Sequence, residues 1–232
     1  MAGMILLGTE PKVGKTYISI LLVQELKRLG CTPGYYKFAA TGVRNLEQSE
    51  AALVSDACAL DQELNEMIPY HYTVSEPVHL AARREQRFIK ERVITERYAW
   101  NCATHNQMVV EGVGEIVSPL IMENNQVLFQ EDLIFKLQLK IFLVIRMSAS
   151  ALSQSVLAVN YLKSISKSPA GIILNAYNDR NYAHRDSLDL IERCTQTPVI
   201  ATVQKHQRRL SCRADLLSII NAPEIGGFDS EA

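Results

Sequence analysis

The first sixteen residues of this chain limit its fold more than any other part. Met4-Ile5-Leu6-Leu7 is a continuous apolar run, short enough for a strand buried on both faces. Gly8-Thr9-Glu10-Pro11-Lys12-Val13-Gly14-Lys15-Thr16 follows at once. Beyond it, Ile18, Leu21, Leu22, Leu26 and Leu29 recur at helical spacing, and Gly30 ends the pattern. Strand, glycine loop and helix in that order form a phosphate cradle, because loop N–H groups and the helix N-terminus point at anionic oxygens. Lys15 is expected on the β- and γ-phosphates and the Thr16 hydroxyl on Mg2+, with Lys12, Val13 and Gly14 completing the nucleotide contact. Five residues separate Gly8 from Gly14, one more than the Walker A pattern, so the loop is a variant of that motif.

Similar units recur downstream. Residues 34–37, 107–112, 140–145, 170–175 and 198–203 are short strand-like runs alternating with helical patterns. This predicts an α/β fold of P-loop NTPase type, a mainly parallel β-sheet flanked by helices on both faces. The chain reads as one domain over residues 1–232, ending in a flexible acidic tail from Pro223 to Ala232. Right-handed crossovers place every strand C-terminus at one edge, where ligands bind. Magnesium on a triphosphate takes one or two carboxylates besides the loop hydroxyl. Glu111, closing the third run, is the first candidate, and Asp56, in Ser55-Asp56-Ala57, the second.

Charge and composition narrow the function classes. With 24 basic and 25 acidic side chains the formal charge is −1, which excludes a strongly basic nucleic-acid surface. A 47% hydrophobic content is ample for a core and excludes a disordered acidic chain. No apolar run approaches the roughly 18 to 20 residues that span a bilayer. The start lacks a basic n-region, so a cytoplasmic protein without membrane or nucleic-acid partners is expected. Five cysteines, odd in number and without a CxxC pair, suit thiols in a reducing compartment. No Asn-Lys-x-Asp guanine-recognition sequence occurs. The position five before Lys15, where a ParA-type ATPase carries lysine, is Glu10. ATP is therefore the expected nucleotide.

Six segments, taken together and in order, resemble the dethiobiotin synthetases. The loop from Gly8 to Thr16 is similar to that family's GTDTxVGKT, which has the same five-residue gap. Tyr36-Lys37-Phe38-Ala39-Ala40-Thr41-Gly42 resembles YKPxxTG, Ser55-Asp56-Ala57 resembles SDA, and Glu76-Pro77-Val78-His79-Leu80-Ala81-Ala82 resembles EPxSPHLAA. Val110-Glu111-Gly112-Val113-Gly114 is similar to VEGAG, and Gly171-Ile172-Ile173-Leu174-Asn175 to GxxxN. The resemblance runs from about residue 4 to residue 205. It implies a homodimeric ligase in which 7,8-diaminononanoate takes up CO2 (supplied as bicarbonate) to give a carbamate. Mg·ATP phosphorylates the carbamate, and the second amine closes the ureido ring of dethiobiotin. It also implies roles: Lys15 and Lys37 stabilise the anionic groups that approach in line, and Thr41 hydrogen-bonds the carbamate. Thr16, Asp56 and Glu111 would hold the metal, and Asn175 would meet the adenine edge.

The chain departs from the family's pattern at several places. Lys12 stands where the loop is often acidic, and Glu115 replaces the second glycine of EGAGG. Ser148 to Gln154 replaces a segment like LGxINH that reaches the substrate carboxylate across the dimer interface, with Ser150 at its glycine and Ser153 at its asparagine. Ala201-Thr202-Val203-Gln204 lacks the family's GxxP. Gly114, Glu115, Ser150 and Ser153 are thus candidate acceptor-site residues beside Thr41. The alternatives these substitutions leave are a related P-loop ATPase or amidoligase acting on another acid, and a non-catalytic nucleotide-binding module.

Overall fold

The computed structural model describes residues 3–123 and 126–222, so the expected tail from Pro223 to Ala232 lies outside the described residues. Strand β1 (Gly3–Gly8) shows why the sheet forms at the centre of the fold. Met4 and Leu6 join one apolar cluster while Ile5 and Leu7 join the other, all four without exposed surface. A strand that must bury both faces needs helices above and below it, which the parallel crossover topology supplies.

In chain order the elements are β1, α1 (Lys15–Arg28), β2 (Pro33–Lys37), α2 (Glu50–Cys58), α3 (Leu64–Met67), α4 (Val78–Arg84), α5 (Glu91–Thr104) and β3 (Gln107–Glu111). Then come β4 (Pro119–Glu123), β5 (Gln126–Phe129), α6 (Gln130–Lys136), β6 (Lys140–Arg146), α7 (Ala151–Ser164), β7 (Gly171–Asn175), α8 (Tyr182–Thr195), β8 (Val199–Val203), β9 (Ser211–Cys212) and α9 (Leu216–Asn221). The seven-stranded sheet runs β2-β3-β1-β6-β7-β8-β9, parallel except for the short edge strand β9. All six strands expected from the sequence are present in it, with ends that differ by one residue. The β4–β5 hairpin forms a separate antiparallel ribbon that no apolar run announced.

Residues of α1, α2 and α9 pack on the face of Met4 and Leu6, and those of α4 to α8 on the face of Ile5 and Leu7. The chain leaves β1 for β2, returns to β3 beside β1, then crosses to β6 on the other side. The reversal puts the end of β1 at a topological switch point, where sheets of this kind bind ligands. Register does the rest. Lys37 pairs with Glu111 across β2 and β3, Leu6 with Glu111 across β1 and β3, and Arg146 with Asn175 across β6 and β7. No helix among the described residues is long and apolar enough to cross a membrane.

Candidate active site

The loop after β1 is shaped by two glycines. Gly14 caps α1 at φ 102°, in the left-handed region, and a Cβ there would lie 2.3 Å from Asn175 Nδ2. Any side chain would pay both the backbone strain and the collision. At Gly8 a Cβ would sit 2.6 Å from Val13 and 3.2 Å from Lys15 Nζ, so glycine lets the lysine fold back over the loop. Helix α1 begins with no side-chain cap and no acid in its first turn, which leaves its first N–H groups and its positive dipole end for an anion. Val13 is buried, so its contribution to a ligand is its backbone, whereas Lys12 is exposed with φ 57°.

Asn175, implied on the adenine edge, first of all braces this loop. Its Nδ2 donates to the Val13 carbonyl at 2.8 Å and its Oδ1 accepts from the Ala176 N–H at 2.8 Å. One N–H and one lone pair remain for a base. At the ends of β7 and β8 lies a polar cavity of 630 Å³, lined by residues 176–180 together with His184, Gln204 and Lys205.

The charged centre is built by β2, β3 and α1. Glu111 is 1% exposed and accepts four hydrogen bonds. Its Oε1 takes Thr16 Oγ1 at 3.0 Å and Lys37 Nζ at 2.8 Å, while its Oε2 takes Ser19 Oγ at 3.1 Å and the Tyr35 hydroxyl at 3.0 Å. Lys37, 6% exposed, also donates to Glu50 Oε2 at 2.8 Å. Burial alone would push the Glu111 carboxyl up, but the Lys37 ammonium, its hydrogen bond, Lys15 and Tyr35 together hold it below the ordinary value. Burial alone would likewise lower Lys37, yet Glu111 and Glu50 raise it above the ordinary lysine value. Both members of this pair are thus charged at neutral pH.

Lys15 differs. Burial, with Lys37 nearby, lowers its pKa despite the opposing pull of Glu111, Glu50 and Glu115. Its Nζ donates to the Gly114 carbonyl at 2.6 Å rather than to a carboxylate. A desolvated ammonium held by a neutral acceptor gains most from an arriving phosphate oxygen.

Asp56 does not reach this centre. It is exposed in the last turn of α2, and Glu50, in the first turn of the same helix, faces Lys37 instead. The signal was available: Ser49-Glu50-Ala51 repeats the Ser–acid–Ala pattern six residues earlier, and Ser49 caps the helix by accepting from the Ala52 N–H. Among the described residues no cluster of three or more His, Cys, Asp or Glu side chains is arranged to hold a metal. Thr16, Glu50 and Glu111 offer three hard oxygens, the donor type Mg2+ takes alongside phosphates rather than from a protein cage. Glu50→Gln is expected to raise the Mg2+ concentration for half-maximal activity about 10-fold or more. Asp56→Asn should leave it within about twofold, as an exposed substitution. Metal titrations of both variants check this.

On the acceptor side, Thr41 is half-buried four residues past Lys37, in a segment whose backbone pairs with residues 70–74. Gly114 brings its carbonyl to Lys15, and Glu115 is exposed beside it. Ser150 and Ser153 are exposed at the start of α7, outside the charged centre. The next residue, Gln154, is the one that reaches the loop: its Nε2 donates to Glu10 at 3.2 Å and its Oε1 accepts from Thr9 at 3.4 Å. Gln130 is a second residue the sequence did not single out. Fully buried, it accepts from the Val113 N–H at 3.1 Å, donates to the Ile116 carbonyl at 2.7 Å, and also donates to the Glu115 carbonyl. It thereby fixes the loop that carries Gly114.

A family model described as an AAA domain matches residues 2–208 of this chain. An ATP-dependent dethiobiotin synthetase of Brachyspira hyodysenteriae is 32% identical over 196 residues, covering 84% of this chain and 89% of that protein. One of Clostridium perfringens is 30% identical over 207 residues, covering 88% and 90% respectively. One of Clostridium novyi is 28% identical over 207 residues, covering 88% and 87%.

Proposed function

The chain belongs to the dethiobiotin synthetase family, with its AAA-type ATP-binding domain, and on that premise we propose that it closes the ureido ring of dethiobiotin with ATP. One amine of 7,8-diaminononanoate adds to CO2 and loses a proton, giving a carbamate. A carbamate oxygen takes the γ-phosphoryl group and ADP departs. The second amine then attacks the carbonyl carbon of the mixed anhydride and expels phosphate.

One observation carries the reading: the half-buried Lys15, held on the Gly114 carbonyl, and the buried Lys37, held with Thr16 on Glu111, stand at the strand edge where the phosphate loop begins. A carbamate and a γ-phosphoryl group repel each other, so positive charge must stand where both approach in line. Lys15 neutralises the transferring group, and Lys37 serves the incoming carbamate with Thr41 as hydrogen-bond partner. Thr16, Glu50 and Glu111 would hold Mg2+, which when bound neutralises charge on the β- and γ-phosphates. The base and ribose would occupy the polar cavity beyond Asn175. The exposed start of α7, with Ser150, Ser153 and the 71%-exposed Leu157 behind them, suits a homodimer in which a second copy lends these hydroxyls to the substrate carboxylate.

The test is phosphate release from Mg·ATP with bicarbonate, with and without 7,8-diaminononanoate, and mass detection of the product. Release that requires the diamine and yields dethiobiotin supports the reading. ATP binding without diamine-dependent turnover overturns it and turns attention to Glu115 and Ser148 to Gln154.

A further inference from the structure

Lys37 holds one ammonium between two carboxylates, 2.8 Å from Glu111 Oε1 and 2.8 Å from Glu50 Oε2. We propose that this ammonium and the divalent cation compete for those same two oxygens, so that Lys37 is withheld from the reacting groups until the cation replaces it. The inference rests on reading this site as the Mg·ATP centre.

Three features of the site carry it. The first is that Glu111 cannot turn to serve two cations at once. Its Oε2 is committed to the buried donors Tyr35 and Ser19, which leaves Oε1 facing the phosphate loop, where Thr16 Oγ1 also meets it. Secondly, like charges in a buried site repel several times more strongly than in water. An ammonium at 2.8 Å and a divalent cation at about 2.1 Å from the same oxygens claim overlapping space. Thirdly, the pair opens on one side. Glu50 is the open side of the pair, its side chain 42% exposed against 1% for Glu111, and a lysine stem is long and flexible. Glu50 therefore acts as a latch, holding Lys37 in register with Glu111. Release of the latch delivers the ammonium when the phosphate loop is loaded, rather than before.

Two measurements decide the matter, both with ADP present. Mn2+ binding, read from the electron-paramagnetic signal of free Mn2+, should be at least about tenfold tighter in Lys37→Met than in the unaltered protein, since no ammonium has to be displaced. Equal or weaker binding overturns the competition. On the unaltered protein, acylation of Lys37 by acetic anhydride, followed by peptide mass spectrometry, should rise several-fold when Mn2+ is added to the ADP complex. Unchanged or reduced labelling overturns it independently of whether the variant folds. Should both results hold while the unaltered protein makes no dethiobiotin, the reaction assignment falls and the competition stands.

Discussion

Lys37→Ala should lower kcat for dethiobiotin formation by about 10³-fold or more while leaving the KM for ATP within a few-fold. Removing one preorganised donor to a developing anion typically costs about 10² to 10³ in rate, and a cation in phosphoryl transfer about 10³ to 10⁵. Lys37 is expected at the upper end because it is nearly fully buried, where its charge is poorly screened. On the proposed reading ATP is held mainly by the phosphate loop and Lys15, which has its own partner at Gly114. The substitution also leaves Glu111 facing Glu50 without the ammonium between them, and breaking a buried ion pair from one side costs about 3 to 5 kcal/mol. The variant should therefore melt earlier but keep the helical and strand signal of the sheet at 25 °C. Steady-state kinetics and circular dichroism check the two statements separately. A folded variant with turnover near that of the unaltered protein would remove Lys37 from the chemistry.

The parallel sheet was legible because a strand buried on both faces carries its own signature. Met4 to Leu7 and residues 141–145 are uniform apolar runs that suit such a sheet. The loop was legible because glycine spacing and the Lys15-Thr16 pair are dictated by phosphate geometry. What stayed hidden depends on long-range contact. Gln130 holds residues 113–116 through side-chain bonds to the backbone, and nothing in its own neighbourhood marks it for that task. Ser153 is the residue expected on the acceptor side, but a one-residue step along α7 changes which side chain meets the loop, and Gln154 is the one that does. The β4–β5 hairpin has mixed burial and no clean alternation, so its pattern did not separate it from a loop. The Ser–acid–Ala triplet that points to Asp56 occurs twice, and its other copy carries Glu50. Six residues apart on α2 the two acids point in different directions, and the helix brings Glu50 to Lys37.

Glu111→Gln tests the same centre from the other charge and should be nearly as damaging. Glutamine keeps the size but replaces one acceptor oxygen by a donor, and three of the four groups bonded to Glu111 are hydroxyls and the fourth an ammonium. Lys37 would keep only the half-exposed Glu50 as its counter-ion. The expected outcome is a loss of about 10² to 10³ in kcat/KM. It is accompanied by a rise of about tenfold or more in the Mg2+ needed. Stability at neutral pH should fall by about 3 to 5 kcal/mol. Stability against pH separates the electrostatic cause from a packing defect. The folded state holds the Glu111 carboxyl below its ordinary value, so its contribution is present above the unfolded carboxyl's pKa and is lost as pH falls through the lowered one. Urea denaturation of both proteins from pH 7 downwards should therefore show the deficit of Glu111→Gln shrinking on acidification below about pH 4. A deficit that stays constant with pH would mean that Glu111 supports the fold by shape, and that the charge on Lys37 is balanced elsewhere.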